Sequence, residues 1–399
     1  MIDQTREVEA EMKAPEDAIG EGHGFRSYPK VRRTLDRIRL VSTFSAFLLA
    51  AIRLQTRVAC SPSPGPLAPA LYVFGDSLVD NGNNNKFPTL AKANYLPYGD
   101  DFSGGVTGRF TNGRTVPDCL AELLGLPYPP MYRSFKESAV TTGLNFASGG
   151  CGILPETGNF AGKCLSLEEQ VRLFESAAVN DLPRLFKSSD EFSGYLAKSI
   201  LTIFIGNNDY ILNYLNPLIY NTSRTYEPQP FAKLLVATLS PHLERLYNRG
   251  ARKFVVFEIG PIGCIPTIAK GSKHEGVCDE GSNLLVSYFN QMLQPMLENM
   301  TTSLAGSMFV LGRANSLCYD AILNPSNYGL TDSRNACCTT WINGTLPCVP
   351  LLTPCPDADK HFFWDGYHPT DVVSSFSASR CFNDTNVCSP VSIQDLVQI

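Results

Sequence analysis

Five short apolar runs, each stopped by glycine or by a glycine-rich turn, constrain this chain more than any other feature. Leu71-Tyr72-Val73-Phe74 leads into Gly75-Asp76-Ser77, and residues 143–146 lead into Ala147-Ser148-Gly149-Gly150-Cys151-Gly152. Residues 199–205 lead into Gly206-Asn207-Asn208-Asp209, residues 254–257 run towards Gly260-Pro261, and residues 308–311 end at Gly312. Uninterrupted apolar runs suit parallel strands covered on both faces. Between them, Leu234, Leu235, Leu239, Leu243 and Leu246 fall at helical spacing within 231–249, which stops at Gly250. A second helical pattern covers 283–304, where Pro295 is expected to kink or interrupt the helix. Strands with interposed helices predict a doubly wound, three-layer α/β/α sandwich around a five-stranded parallel sheet. Ligands of such sheets sit outside the carboxyl ends of the strands, where this sequence concentrates Gly, Asn, Ser and Asp. No internal repeat is visible, and residues 70–399 read as one domain.

The net charge of −5 over 399 residues leaves no basic surplus for nucleic acid, and the 44% hydrophobic content is that of a folded chain. Residues 40–52 form a 13-residue apolar run broken only by Ser42, Thr43 and Ser45, too short for the roughly 20 residues of a membrane span. Lys30, Arg32, Arg33, Arg37 and Arg39 precede it; Val58-Ala59-Cys60 and a Pro-rich linker, 61–69, follow. That is the layout of a secretory signal peptide with cleavage near Cys60, which makes 1–60 an N-terminal extension. The 39 preceding residues, eight of them acidic, are long for such a leader; an over-extended start or an uncleaved signal anchor accounts for them equally well. Without residues 1–60 the chain carries 23 basic and 30 acidic residues, a net charge of −7, and 12 cysteines, an even number compatible with complete pairing. No Cys-x-x-Cys occurs, so zinc is not indicated; adjacent Cys337 and Cys338 must reach different partners. Sequons at Asn221, Asn299, Asn343 and Asn383 fit glycosylation in an exported protein.

Ser77 closes a turn at the end of the first strand, where a nucleophilic hydroxyl could meet substrate, although an isolated Gly-Asp-Ser is commonly no more than a helix cap. The Gly-x-Ser-x-Gly elbow of standard α/β-hydrolases is missing there. Beyond residue 60 the candidate bases are His242, His274, His361 and His368. His242 reads as part of a solvated helix face, His274 as a loop residue and His361 as packed. His368 follows Asp365 by three residues, so a carboxylate can hold its tautomer and stabilise an imidazolium. Gly150, through its N–H, and Asn208, through its amide, are candidate donors to a developing oxyanion, with a tight turn and an Asx-turn as the ordinary alternatives.

Together these elements resemble the plant GDSL esterase/lipases of the SGNH-hydrolase superfamily, from about Ala70 to Leu396. The resemblance rests on 74–84 (FGDSLVDNGNN), 107–114 (TGRFTNGR), 145–150 (NFASGG), 206–210 (GNNDY), 260–266 (GPIGCIP) and 363–370 (FWDGYHPT). It implies the flavodoxin-like SGNH fold and a nucleophile at Ser77, with Asp365 and His368 completing a triad. It also implies an oxyanion hole of the Ser77 N–H, the Gly150 N–H and Asn208, with Gly149 the alternative to Gly150. Asn207, Val106 and Asp371 depart from the family's usual Ser, Pro and Glu without removing a reacting group. Arg109 and Arg114 read as ion-pair residues that organise loops.

The expectation is therefore a monomeric serine esterase or lipase, secreted to the cell wall or apoplast, acting on a small-molecule or polymer-linked ester with no metal or organic cofactor. Transfer of the acyl group to a cell-wall or cuticle alcohol is the alternative activity. A non-catalytic binding protein would be indicated had Ser77, Asp365 or His368 been replaced, and none is.

Overall fold

The computed structural model describes residues 65–136 and 140–399; the apolar run 40–52, its flanks, Cys60 and residues 61–64 of the linker lie outside them. Four of the predicted runs are regular strands: β1 (Leu71–Gly75), β2 (Ile200–Phe204), β3 (Lys253–Phe257) and β4 (Met308–Gly312). They pair in parallel in the order β1-β2-β3-β4. Successive side chains alternate between two cores, as the pleat requires. Tyr72, Phe74, Leu201, Ile203, Phe254 and Val256 enter one; Leu71, Val73, Ile200, Phe204, Val255 and Phe257 enter the other. Both faces are dry, which is why these runs read as uninterrupted apolar sequence.

Helix α1 (Val116–Leu124) lies over the second core; α2 (Leu167–Ser176), α3 (Pro228–Asn248) and α4 (Glu280–Ser303) pack over the first. Pro295 does not interrupt α4, which runs through it, as α3 runs through Pro241. Each proline removes a backbone donor and crowds the preceding turn. Burial of Phe289, Leu293, Leu297 and Met300 along one stripe of α4 offsets that cost. Beyond β4 come α5 (Ala314–Leu323), a small satellite of two strand pairs, and α6 (Asp371–Asn383), which closes the second face together with α1. In the satellite, β5 (Asp332–Ala336) pairs with β8 (His361–Phe363), and β6 (Thr340–Ile342) with β7 (Thr345–Cys348).

The remaining predicted strand is not a regular one. Segment 143–146 lies along the outer edge of β1: Val73 N donates to Leu144 O at 2.9 Å and Phe146 N to Val73 O at 2.8 Å. Leu71 N likewise donates to Thr142 O at 3.1 Å and Ser148 N to Gly75 O at 3.0 Å, but the ladder is incomplete because Gly75 N donates instead to Gln170 Oε1 at 2.9 Å. Counting this segment, the parallel order is the doubly wound one that was expected. The fifth regular strand is instead a two-residue antiparallel one, Cys388–Ser389, on β4.

Cysteine pairing is incomplete. Among the described residues five disulfides join Cys151–Cys164, Cys264–Cys278, Cys337–Cys355, Cys338–Cys348 and Cys381–Cys388, and Cys119 and Cys318 pair with none of the other described cysteines. Cys119 packs in the second core as a small apolar side chain. Cys337 and Cys338 do reach different partners. No helix among the described residues is long and apolar enough to cross a membrane.

Candidate active site

Ser77 stands two residues beyond β1. Asp76 N donates to Phe204 O at 3.0 Å and Asp76 Oδ1 accepts from Leu78 N at 3.0 Å, so the turn is tied to the neighbouring strand. Gly75 permits this approach, since a Cβ there would lie 2.4 Å from Phe204 O. Burial pushes the Asp76 carboxyl up to about 6, against the Leu78 N–H and the Asn207 amide that stabilise its charge.

Opposite stands the turn that follows β8. His368 Nε2 lies 2.8 Å from Ser77 Oγ, and His368 Nδ1 lies 2.8 and 2.9 Å from the two oxygens of Asp365. Asp365 is fully buried, and its remaining capacity is filled. Oδ1 accepts from the N–H of Tyr367 and of His368, both at 2.8 Å, and Oδ2 accepts from Tyr98 O–H at 2.5 Å. Tyr98 in turn accepts from Cys348 N at 3.2 Å. Burial and the Asp365 charge push the Tyr98 phenol well up, so it stays a donor. The ring of Phe110 packs 5.0 Å from that of His368.

The third group comes from the loops after segment 143–146 and β2. Gly149 N donates to Asp80 Oδ2 at 3.0 Å, whereas the N–H groups of Gly150 and Ser77 meet no acceptor among the described residues. Gly150 takes φ +83°, a conformation glycine adopts without strain. Asn208 Nδ2 donates to Cys151 O at 3.0 Å, which leaves one amide hydrogen uncommitted and fixes the side chain beside Gly150. Buried Asp209 locks the two loops: it accepts from Ile153 N at 2.7 Å, Leu154 N at 3.0 Å and Thr157 Oγ1 at 2.8 Å. Burial pushes its carboxyl up to about 7, despite those donors.

Ser77, Gly150, Asn208 and His368 border one cavity of about 420 Å³, whose walls are otherwise mostly apolar. Asn207, one of the departures, bridges Asp76 Oδ2 at 3.2 Å and Gly260 N at 3.4 Å. The two arginines make ion pairs, as expected. Arg109 grips Asp118 through two 2.7 Å bonds, and Arg114 holds Asp371 at 2.8 Å, joining the 108–114 loop to the start of α6 just after His368.

The other histidines stay apart from this arrangement. His242 is buried rather than solvated, its Nδ1 3.5 Å from Glu168 Oε2, because α3 turns that position onto α2. His274 Nε2 is 2.8 Å from Ala269 O, and His361 Nε2 is 3.6 Å from Asp357 Oδ1. Cys355, Asp357 and His361 are the one group of potential metal ligands among the described residues, and Cys355 is already bonded to Cys337. Sequence reasoning missed Tyr98, Asp80 and Asp209. The two aspartates lie inside blocks already singled out; nothing local distinguishes Tyr98 from other buried tyrosines.

The family model described as GDSL-like Lipase/Acylhydrolase matches residues 71–380. An Arabidopsis thaliana protein named GDSL esterase/lipase 7 is 46% identical, across 84% of this chain and 93% of its own. Two further Arabidopsis thaliana GDSL esterase/lipases are 42% and 40% identical, across 84% and 83% of this chain and 86% and 88% of theirs. On this similarity, which spans the four parallel strands and the turns that carry Ser77, Gly150, Asn208, Asp365 and His368, the chain belongs to the GDSL-like lipase/acylhydrolase family of ester hydrolases.

Proposed function

We propose that the protein is a secreted serine esterase that cleaves esters of apolar acyl groups through an acyl-enzyme on Ser77. The observation that carries this reading is the hydrogen-bonded series from Ser77 Oγ through His368 to Asp365, with steps of 2.8 and 2.8 Å. His368 Nε2 takes the hydroxyl proton as Ser77 Oγ bonds to the ester carbonyl carbon. The oxyanion is met by the N–H groups of Ser77 and Gly150 and by the Asn208 amide, each such donor worth about 10²–10³ in turnover. The tetrahedral intermediate collapses as the imidazolium returns the proton to the departing alcohol. Water, deprotonated by the same imidazole, then releases the acid. The mostly apolar cavity supports an aliphatic acyl group as the bound part of the substrate.

Ser77→Ala should lower hydrolysis of a 4-nitrophenyl ester by on the order of 10³-fold or more, with an unchanged unfolding transition. Full activity in that variant would remove Ser77 from the mechanism. Export is supported by the five disulfides and by the exposure of all four sequon asparagines. N-terminal sequencing of the protein recovered outside plant cells should begin beyond residue 52; a start upstream of Leu40 would refute a cleaved leader.

A further inference from the structure

One arm of the cavity runs between the carboxyl ends of β3 and β4 and helices α5 and α6. Its walls include Phe257, Leu317, Ile322, Phe363, Val373 and Val387, none more than 7% exposed. Glu258 is the one carboxylate in this apolar arm; the other ionisable groups that line the cavity are the thiol of Cys318 on α5 and the side chains of Asp76, Tyr367 and His368. Glu258 is the first residue after β3, and β3 is two places from β1, so Glu258 stands about 10 Å along the sheet edge from the serine strand.

Only half of this carboxyl is used by the fold. Oε2 accepts from Asn315 N, in the first turn of α5, at 3.2 Å, whereas Oε1 accepts nothing among the described residues. Nor does Glu258 have an ion-pair partner among them: the nearby Arg313 donates to Gln294 Oε1 at 3.2 Å. An acceptor facing an apolar chain loses its water and gains nothing in return.

We propose that Glu258 is a specificity residue that accepts a hydrogen bond from a hydroxyl carried part-way along an aliphatic chain, so that esters of mid-chain-hydroxylated acids are preferred over plain ones. The proposal rests on the reading of Ser77 as the attacking group, since that fixes where the chain begins. A plain chain of the same length strands the carboxyl; a hydroxyl at the right depth satisfies it. A site built to bond a substrate hydroxyl rejects the analogue lacking it more strongly than an apolar site rejects an added hydroxyl.

The test uses 4-nitrophenyl esters of equal chain length, one plain and a series with the hydroxyl moved along the chain, and a 4-nitrophenyl acetate control. The unaltered protein should favour one hydroxyl position by about tenfold or more in kcat/KM. In Glu258→Met that ratio should fall to about one or below, with the plain ester gaining. In Glu258→Gln, which keeps a carbonyl acceptor, part of the preference should survive. A role confined to supporting α5 would lower all esters together and leave the ratio unchanged. An unaltered protein with no hydroxyl preference, or a ratio untouched in Glu258→Met, overturns the proposal. Failure to cleave any ester, acetate included, would defeat the Ser77 reading itself.

Discussion

Ser77, Gly150 and Asn208 hang from the carboxyl edge of the main sheet, whereas Asp365 and His368 sit outside it, on a turn after the small β5–β8 pair. On the sheet side, parallel pairing sets where each loop begins, and buried Asp80 and Asp209 lock the loops to one another. On the satellite side there is little regular structure to set position. There the turn is held by the Tyr98 hydroxyl, by the Arg114–Asp371 pair and by the adjacent disulfides of Cys337 and Cys338. The contrast teaches that side chains can be held to hydrogen-bond accuracy either by a sheet or by covalent and ionic ties. The two kinds of support should fail under different conditions.

The largest expected effect lies on the satellite side. Asp365→Asn should leave the fold intact and lower kcat by about 10⁴, because the amide favours the wrong imidazole tautomer; a loss under tenfold would break the assignment. On the sheet side, Asp209 has a carboxyl raised from 3.8 to about 7, so the fold binds its proton more tightly than the unfolded chain does. Its contribution is complete below about pH 4, declines as pH rises to about 7 and is level above, a span on the order of 4 kcal/mol. Asp76 and Asp80, both raised to about 6, slope the same way. Asp209→Asn should therefore flatten thermal stability first between pH 6 and 7, and an unchanged slope there would contradict the account.

Replacing Cys338 and Cys348 by serine should cost about 2–4 kcal/mol in chemical denaturation. It should also lower kcat where the protein is still folded, because Cys348 N holds the Tyr98 oxygen. A stability loss with unchanged kcat would confine the disulfide to a structural part. Tyr98→Phe removes one hydrogen bond to a buried carboxylate, worth about 1.5–3 kcal/mol. About ten- to a hundredfold should be lost in kcat with KM unchanged; an equal loss through KM would place Tyr98 in substrate binding. Arg114→Ala breaks a half-exposed pair and should cost about 1 kcal/mol or less in stability, with a smaller effect at high salt.

Four of the five strands could be read from the chain because burial on both faces leaves an uninterrupted apolar run. Segment 143–146 reads as a strand for the same reason, but the Gln170 side chain, distant in sequence, takes the Gly75 N–H that would extend its pairing with β1. Pro295 was misleading because helix packing outweighed a local penalty, and His242 because its burial depends on α2, distant in sequence. Ser77, Asp365 and His368 were legible as types in suitable local settings, Asp365 and His368 being three residues apart. Complete cysteine pairing failed because an even count says nothing of distance.

The sequence by itself determined the strand runs, the Gly-Asp-Ser turn, the Asp-x-x-His spacing and the pool of candidate oxyanion donors, since each depends on residues a few places apart. Only the tertiary structure decided that the Gly149 N–H is taken by Asp80 while that of Gly150 meets no acceptor among the described residues, that Tyr98 reaches Asp365 across 267 positions, and that Glu258, with one oxygen on Asn315 N, lines an apolar cavity. Those outcomes turn on register between distant segments, which is set by how two cores and two disulfide-tied loops pack together and not by any local pattern.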